Sequence, residues 1–276
     1  MITERTGNIF NTSCQTIVNT INTVGFMGKG IALEMQLRYP EMCDIYKILC
    51  KVEERCFTSS QLTPAGTNHD DFSKKVYLKL KQKYGDLPRI EVGKLWLYTN
   101  TPDKWILNFP TKIRWQDPSK IEYLEKGLIK FVETYQQKGI TSIAFPILGG
   151  ALGGIPTEQS IFVMKKYLKK CNDIKIEIWH YDKTATDDLY ANFKSTLLEI
   201  NPNILLMQMR QAGYPRIPVA KIYRAINNPN IYTISQMMAE PGIGYQTTKK
   251  VFEFVRRSSN RDSQTEETNR QMSFDI

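Results

Sequence analysis

Apolar residues in the first two thirds of the chain follow two alternating rhythms. Short runs rich in Val, Ile, Phe and Tyr, at Gln15–Asn22, Lys94–Thr99, Trp105–Phe109, Ser142–Leu148 and Lys175–Tyr181, predict β-strands. Between them, apolar positions recur every three or four residues. The clearest such segment is Ser119–Gln137, where Ile121, Leu124, Leu128, Phe131 and Tyr135 draw one stripe down a predicted helix. Ser119 and Glu122 have capping-box spacing, and Gly139 after Lys138 supplies a left-handed stop. A second helix is predicted from Thr157 to Lys170, with Ile161, Met164 and Leu168 inward and its lysines toward water. Strands such as Ile143–Leu148 are almost continuously apolar, the pattern of strands buried on both faces, so the expected class is α/β with helices on both sides of the sheet.

The pattern changes twice. Residues 56–90 combine a Ser/Thr/Pro/Gly stretch with a basic amphipathic segment, Lys74–Tyr84, and read as an insert. Beyond Asn201-Pro202 the strand rhythm stops, and Ile217–Arg257 reads as short helices separated by Asn-Asn-Pro and Pro-Gly turns. The expected division is therefore 1–200 for the α/β domain, 204–257 for a small all-α module and 258–276 for a polar tail too poor in apolar residues to offset its ordering entropy.

Composition narrows the chemistry. Of 276 residues, 41% are apolar and 24% charged, which is a globular balance rather than a disordered or collagenous one. No apolar run approaches the ~18 residues of a spanning helix. Met1–Thr6 lacks a signal-peptide layout, so a cytoplasmic protein without membrane attachment is expected. Five cysteines without a C-x-x-C pair argue against a disulfide framework or zinc ribbon, and two histidines leave little for a His-rich metal site or a Ser-His-Asp relay. No metal and no cofactor are expected. The 37 basic residues against 28 acidic ones, 37 − 28 = +9, favour polyanionic partners.

Two glycine-bearing loops each follow a predicted strand and precede a helix, where backbone amides and a helix N-terminus can hold an anion. The first, Asn19–Gly30, opens a helix over Ile31–Arg38. It is not a P-loop, because Gly25 to Lys29 is too short a spacing and Gly30 stands where a Ser or Thr would bind magnesium. The second, Gly149–Gly154, holds glycine at four of six positions. Such a loop either admits a bulky ligand such as a pyrophosphate or is a structural turn.

Together, Gly7-Asn8-Ile9, the Asn19–Gly30 loop and Pro146–Gly154 resemble a macrodomain over about residues 1–190. Within that family, Val18–Gly30 with Asn108-Phe109-Pro110-Thr111-Lys112 resembles the DarG branch, antitoxins that remove ADP-ribose from thymidine in DNA. The resemblance implies a macrodomain-type mixed sheet flanked by helices, with an ADP-ribose cleft across the carboxyl ends of its central strands. It places Asn8, beside Ile9, where the family's aspartate accepts from the adenine amino group. It puts Asn22 on the distal ribose, in a wrapping loop with Thr23, Gly28, Lys29, Gly30 and Ile31. The backbone amides of Gly149, Gly150, Ala151, Leu152, Gly153 and Gly154 would hold the diphosphate, with Ala151 replacing a usual glycine. Lys112, next to Thr111, matches the branch's catalytic lysine, and Asn22 is its expected catalytic companion. Cleaving an N-glycosidic bond needs protonation of the leaving base, capture of the anomeric carbon, or both. A desolvated lysine can act as acid or as nucleophile; the alternative is an ordinary surface lysine. The Lys74–Tyr84 segment and Arg114-Trp115 either line a nucleic-acid path or are a solvated face and a core tryptophan.

In the C-terminal module, Met238–Val255 resembles a helix-hairpin-helix, whose Pro241-Gly242-Ile243-Gly244 turn would contact DNA phosphates through Gly242 and Gly244, with Thr247, Lys249 and Lys250 in support. Alternatives are a helix-turn-helix of Thr233–Glu240 and Tyr245–Arg256, or a module that binds a protein. The toxin-binding C-terminal region of DarG antitoxins is different. Gln271–Ile276 faintly resembles a sliding-clamp-binding peptide. The expected function is a DNA ADP-ribosyl glycohydrolase acting on a nucleobase, with antitoxin, repair or defence roles. Its partners would be the ADP-ribose moiety, DNA that is single-stranded at the active site and a cognate ADP-ribosyltransferase toxin. The alternatives are a non-catalytic ADP-ribose reader with a DNA-binding module, and a hydrolase of protein-linked or O-acetyl ADP-ribose.

Overall fold

The computed structural model describes residues 1–51, 78, 82, 89–101 and 103–256. The insert expected at 56–90, the tail at 258–276 and the peptide Gln271–Ile276 thus lie outside the described residues, apart from positions 78, 82, 89 and 90. The chain divides into two compact units, Met1–Asp182 and Lys183–Ile276.

The first unit is built on a six-stranded mixed sheet. Its strands are β1 (Ile2–Gly7), β2 (Thr16–Ile21), β3 (Trp96–Tyr98), β4 (Trp105–Pro110), β5 (Ser142–Pro146) and β6 (Lys175–Tyr181), in the order β1-β6-β5-β2-β4-β3. All neighbours are parallel except β3, which closes one edge antiparallel to β4. Side chains alternate between two cores. Val18, Leu107, Phe109, Phe145 and Ile178 face helices α3 (Ile121–Thr134) and α4 (Thr157–Leu168), while Ile17, Ile21 and Ile106 face α1 (Gly30–Arg38) and α2 (Pro40–Lys51). Burial of each such side chain contributes about 1.5–3 kcal/mol, so two-sided coverage is what holds the sheet. Gly127 is the notch that lets α3 sit down: a Cβ there would run into the Phe109 ring.

β1 was not foreseen. Its Thr3-Glu4-Arg5-Thr6 stretch is polar and largely exposed because it is an edge strand, whose charges discourage pairing with other chains. The predicted capping box also gives way. α3 starts after Lys120 without a side-chain cap, because Ser119 is drawn aside: its amide donates to the Gly153 carbonyl at 2.8 Å. Gly139 is the left-handed stop expected, at φ +69°.

The second unit is helical through residue 256: α5 (Asp188–Glu199), α6 (Pro202–Gln211), α7 (Val219–Ile226), α8 (Ile234–Ala239) and α9 (residues 244–256). Side chains cap three of them, Asp187 accepting from Leu189 and Tyr190, Asn201 from Asn203, and Thr233 forming a capping box with Gln236. The unit begins at Lys183 rather than near 204, since α5 belongs to its core. The Phe193 and Phe252 rings lie 5.6 Å apart, tilted by 37°, and Tyr223 donates to the Leu197 and Ile200 carbonyls. Among the described residues, Cys14, Cys43, Cys50 and Cys171 are not joined in disulfides. Among the described residues no helix is long and apolar enough to cross a membrane.

Candidate functional site at the strand ends

In a parallel sheet every strand delivers its following loop to one end, and the residues singled out in the first unit gather there. Asn8 and Ile9 follow β1, Asn22 to Gly30 follow β2, Thr111 and Lys112 follow β4, and the glycine loop follows β5. This is where an open α/β sheet binds ligands. β1 stands three strand steps from β2, roughly 14 Å at ~4.8 Å per step.

The loop after β2 is organised by Asn22, which is buried and bonded almost entirely to its own loop. Its Oδ1 accepts from Val24 N at 3.0 Å and Phe26 N at 3.3 Å, and its Nδ2 donates to the Phe26 carbonyl at 2.6 Å. From α2, the buried Tyr46 hydroxyl is shared between the Asn22 carbonyl at 2.8 Å and Oδ1 at 3.0 Å. The second hydrogen of Asn22 Nδ2 is not used in these contacts. Burial raises the Tyr46 pKa and pushes the nearby Cys50 thiol up to about 12, so both stay protonated and apolar in character. Gly25, at φ +82°, makes the turn, and Gly28 makes room, since a Cβ there would strike the Phe26 ring. Thr23 fastens this loop to the next one: its amide and hydroxyl donate to the Ile113 carbonyl at 3.0 and 3.2 Å.

Thr111 is buried, its amide donating to Ile21 O at 2.9 Å, and this aims the half-buried Lys112 out of the sheet end. Lys112 Nζ donates to the Leu152 carbonyl at 2.5 Å, joining the β4 loop to the glycine loop. Burial pulls the Lys112 pKa below lysine's ordinary 10.5, with the Asp117 carboxylate working against it. That is the direction acid or nucleophile chemistry needs.

The glycine loop has internal reasons for its composition. A Cβ on Gly149 would meet Ile155 at 2.7 Å and Ser119 at 3.1 Å, and one on Gly153 would meet Ser119 Oγ at 2.7 Å. Gly149 and Gly154 have φ of +65° and +79°, and Ala151 shares the left-handed region at +36°. Bonds within the loop use the amides of Gly150, Gly153, Gly154 and Ile155, leaving those of Ala151 and Leu152 outside that set. Asn8, also buried, caps the short turn Ile9–Asn11 by accepting from Phe10 N at 3.1 Å. Ile9 is core, Ile31 packs against it, and Lys29 and Gly30 are exposed.

The structure therefore brings Thr23, Lys112, Gly30 and Leu152 to one meeting point, while the turn carrying Asn8 and Ile9 leaves the edge strand β1 and packs back against β5. Tyr46 belongs to the same construction and carried no local sequence signal, because its hydroxyl acts on a segment distant in the chain, while Ser119 signalled a helix cap and instead packs beneath the glycine loop. Trp115 is 49% exposed and is not a core residue. In the second unit, Gly242 in the turn after α8 and Gly244 at the first position of α9 have φ of +81° and +55°. Lys249 pairs with Glu253 at 3.6 Å, and Lys250 lies 5.2 Å over the Tyr214 ring. Thr247 and Lys250 line a cavity of about 250 Å³ with residues 213–217 and Gln246. Lys221, not foreseen, places its amine against Gly242. Among the described residues no group of three or more His, Cys, Asp or Glu could hold a metal ion.

Comparison with known proteins places the chain in a family. Residues 69–164 match the family model described as Macro domain. The solved macrodomain of Mycobacterium tuberculosis DarG is 30% identical, the match covering 65% of this chain and 97% of that one, with a TM-score of 0.49. The chain belongs to the macrodomain family. Among curated relatives of this macrodomain protein, the DNA ADP-ribosyl glycohydrolase of Mycobacterium tuberculosis is 34% identical over 162 residues, covering 58% of this chain and 36% of the relative. A DNA ADP-ribosyl transferase-DNA ADP-ribosyl glycohydrolase fusion protein of Thermosipho africanus is 33% identical over 175 residues, covering 63% of this chain and 40% of the relative. The macrodomain protein thus spans well under half the length of the curated relatives it matches.

Proposed function

We propose that this macrodomain is a glycohydrolase that removes ADP-ribose from a nucleobase, thymidine, in DNA. The observation that carries the reading is the meeting of Lys112 with the glycine loop through Leu152, beside the loop braced by Asn22, at the carboxyl ends of the parallel strands. ADP-ribose lies along those ends, its adenine toward Asn8, its diphosphate over Gly149–Gly154 and its distal ribose within Asn22–Ile31. In hydrolysis the bond from the anomeric carbon to the base nitrogen breaks, a water oxygen bonds to that carbon, and one water proton ends on the base. Lys112 as an ammonium donates a proton to the departing base and recovers one from the attacking water. The contact of Nζ with a carbonyl favours this donor role over attack by the amine. Asn22 holds the sugar with its remaining amide hydrogen and positions the loop.

The substrate is a base accessible in a single strand, and the turn at Gly242–Gly244 gives the helical unit a sequence-tolerant contact with the phosphate backbone. The modified DNA is the product of an ADP-ribosyltransferase, whose action this enzyme reverses as antitoxin or repair factor; the name of the Thermosipho relative couples the two activities in one chain. Free thiols suit a reducing cytoplasm. The test is incubation with an oligonucleotide carrying ADP-ribosyl-thymidine, in parallel with an ADP-ribosylated peptide. Wild type should release ADP-ribose from the oligonucleotide, and Lys112→Ala should lose at least a hundredfold in rate. Binding of ADP-ribose without release would make the protein a reader, and faster release from the peptide would change the substrate class.

A further inference from the structure

Five large apolar side chains converge around Lys112 and remain largely in solvent: Val24 at 46%, Phe26 at 48%, Ile113 at 47%, Trp115 at 49% and Leu152 at 61% exposure. Their proximity is fixed by three contacts. Thr23 is bonded to the Ile113 carbonyl, Lys112 to the Leu152 carbonyl, and the Phe26 and Trp115 rings lie 5.2 Å apart at 37°. A concentration of apolar surface at one point marks a place where something binds. Phe26 is also held in position. Asn22 bonds both its amide and its carbonyl, and the ring is seated over Gly28, where any Cβ would displace it. The protein thus orders an aromatic side chain without burying it.

The charge around this shelf selects its occupant. Lys29, Lys112 and Arg114 belong to the same two loops, against the single carboxylate of Asp117 in the 111–117 loop. Cations interleaved with open aromatic faces suit a strand of unpaired nucleotides, whose bases stack while their phosphates meet the cations. An apolar protein surface would satisfy the rings and leave those cations without partners.

We infer that Phe26 and Trp115 form a stacking shelf for the bases that flank the modified nucleotide, which makes the enzyme selective for single-stranded over paired DNA. The inference rests on the proposed glycohydrolase reading for its meaning, but its first test does not depend on turnover. Thymine stacked on an indole quenches its fluorescence, so titration of the full chain with an eight-residue oligothymidylate should quench wild type and leave Trp115→Phe without that component. Phe26→Ala should weaken the half-saturation by about 5- to 150-fold, the equivalent of the ~1–3 kcal/mol worth of one stacked base. A duplex of the same sequence should produce little quenching.

The second test compares substrates. In Trp115→Ala the ratio of kcat/KM for a modified oligonucleotide to that for modified thymidine mononucleoside should fall about tenfold, through KM, and Trp115→Phe should restore most of it. Quenching that is the same in Trp115→Phe as in wild type, or the same with duplex, overturns the shelf and leaves the apolar cluster as a surface for a protein. Trp115-dependent quenching in a protein that releases no ADP-ribose would keep the shelf and remove the glycohydrolase. Turnover with an unchanged substrate ratio in Trp115→Ala would do the reverse.

Discussion

Lys112 is where a single charge decides the chemistry. Burial lowers its pKa below 10.5, and the Asp117 carboxylate raises it back. Neutralising that carboxylate in Asp117→Asn must therefore lower the Lys112 pKa further. If Lys112 donates a proton, activity falls as pH rises through its pKa, and the basic limb of the kcat/KM profile should move to lower pH in Asp117→Asn. A nucleophilic amine would instead move the acidic limb down, so one pair of profiles separates the two roles, and two superimposable profiles would remove Lys112 from both. Glu177 has a different place, buried in β6 away from the site. Burial alone would raise its pKa, but hydrogen bonds from Thr12 at 2.6 Å and Trp179 at 2.9 Å and the Lys175 amine at 3.0 Å hold it at about 2. Against an ordinary 4.5, that depression stabilises the fold by about 3 kcal/mol above pH 4.5, and the contribution disappears as pH falls from there through about 2. Urea titrations between pH 5 and 2 should show this acid-linked loss in wild type and much less of it in Glu177→Gln.

At the scale of elements, the site depends on α2 holding the loop after β2. Tyr46→Phe keeps the ring in the core and removes only the hydroxyl that meets Asn22, so it should cost about 1–2 kcal/mol and raise KM more than it lowers kcat. Hydrogen exchange at the Val24 and Phe26 amides should quicken accordingly; unchanged exchange would show that Asn22 braces the loop alone. The contrast with what the chain reveals by itself is instructive here. The central strands, α3, α4 and the glycine loop were legible because each is written locally, in apolar runs, three-to-four spacing or clustered glycines. β1 was hidden because an edge strand is polar for a reason that has nothing to do with its pairing. The start of α3 was misread because Ser119 answers to Gly153 rather than to its own helix. Lys112 was legible only through its motif, as one lysine among many, whereas Tyr46 and the Phe26–Trp115 pair join segments far apart in sequence. Asn22 was assigned a ligand role from its motif, while most of its bonding capacity is spent on its own loop.

For the whole molecule, the DNA contacts proposed for the two units are of different kinds, and salt tells them apart. The formal charge of +9 predicts that affinity for a single strand falls with ionic strength, with a log–log slope of about −0.7 for each phosphate neutralised. In the helical unit the candidate contacts are of that type. Lys221 sets its amine against Gly242, at a turn whose positive φ angles open backbone amides ahead of α9. Lys221→Gln should therefore weaken binding of all sequences alike and make the slope shallower by about 0.7. Trp115→Ala, which removes a stacking face and no charge, should lower affinity by a similar factor at every salt concentration and leave the slope unchanged. Equilibrium titrations of both variants from low to physiological salt distinguish these contributions. If Lys221→Gln left the slope as it is, the helical unit would not be neutralising phosphate through this turn, and its cationic helices would have to be read as a surface for protein.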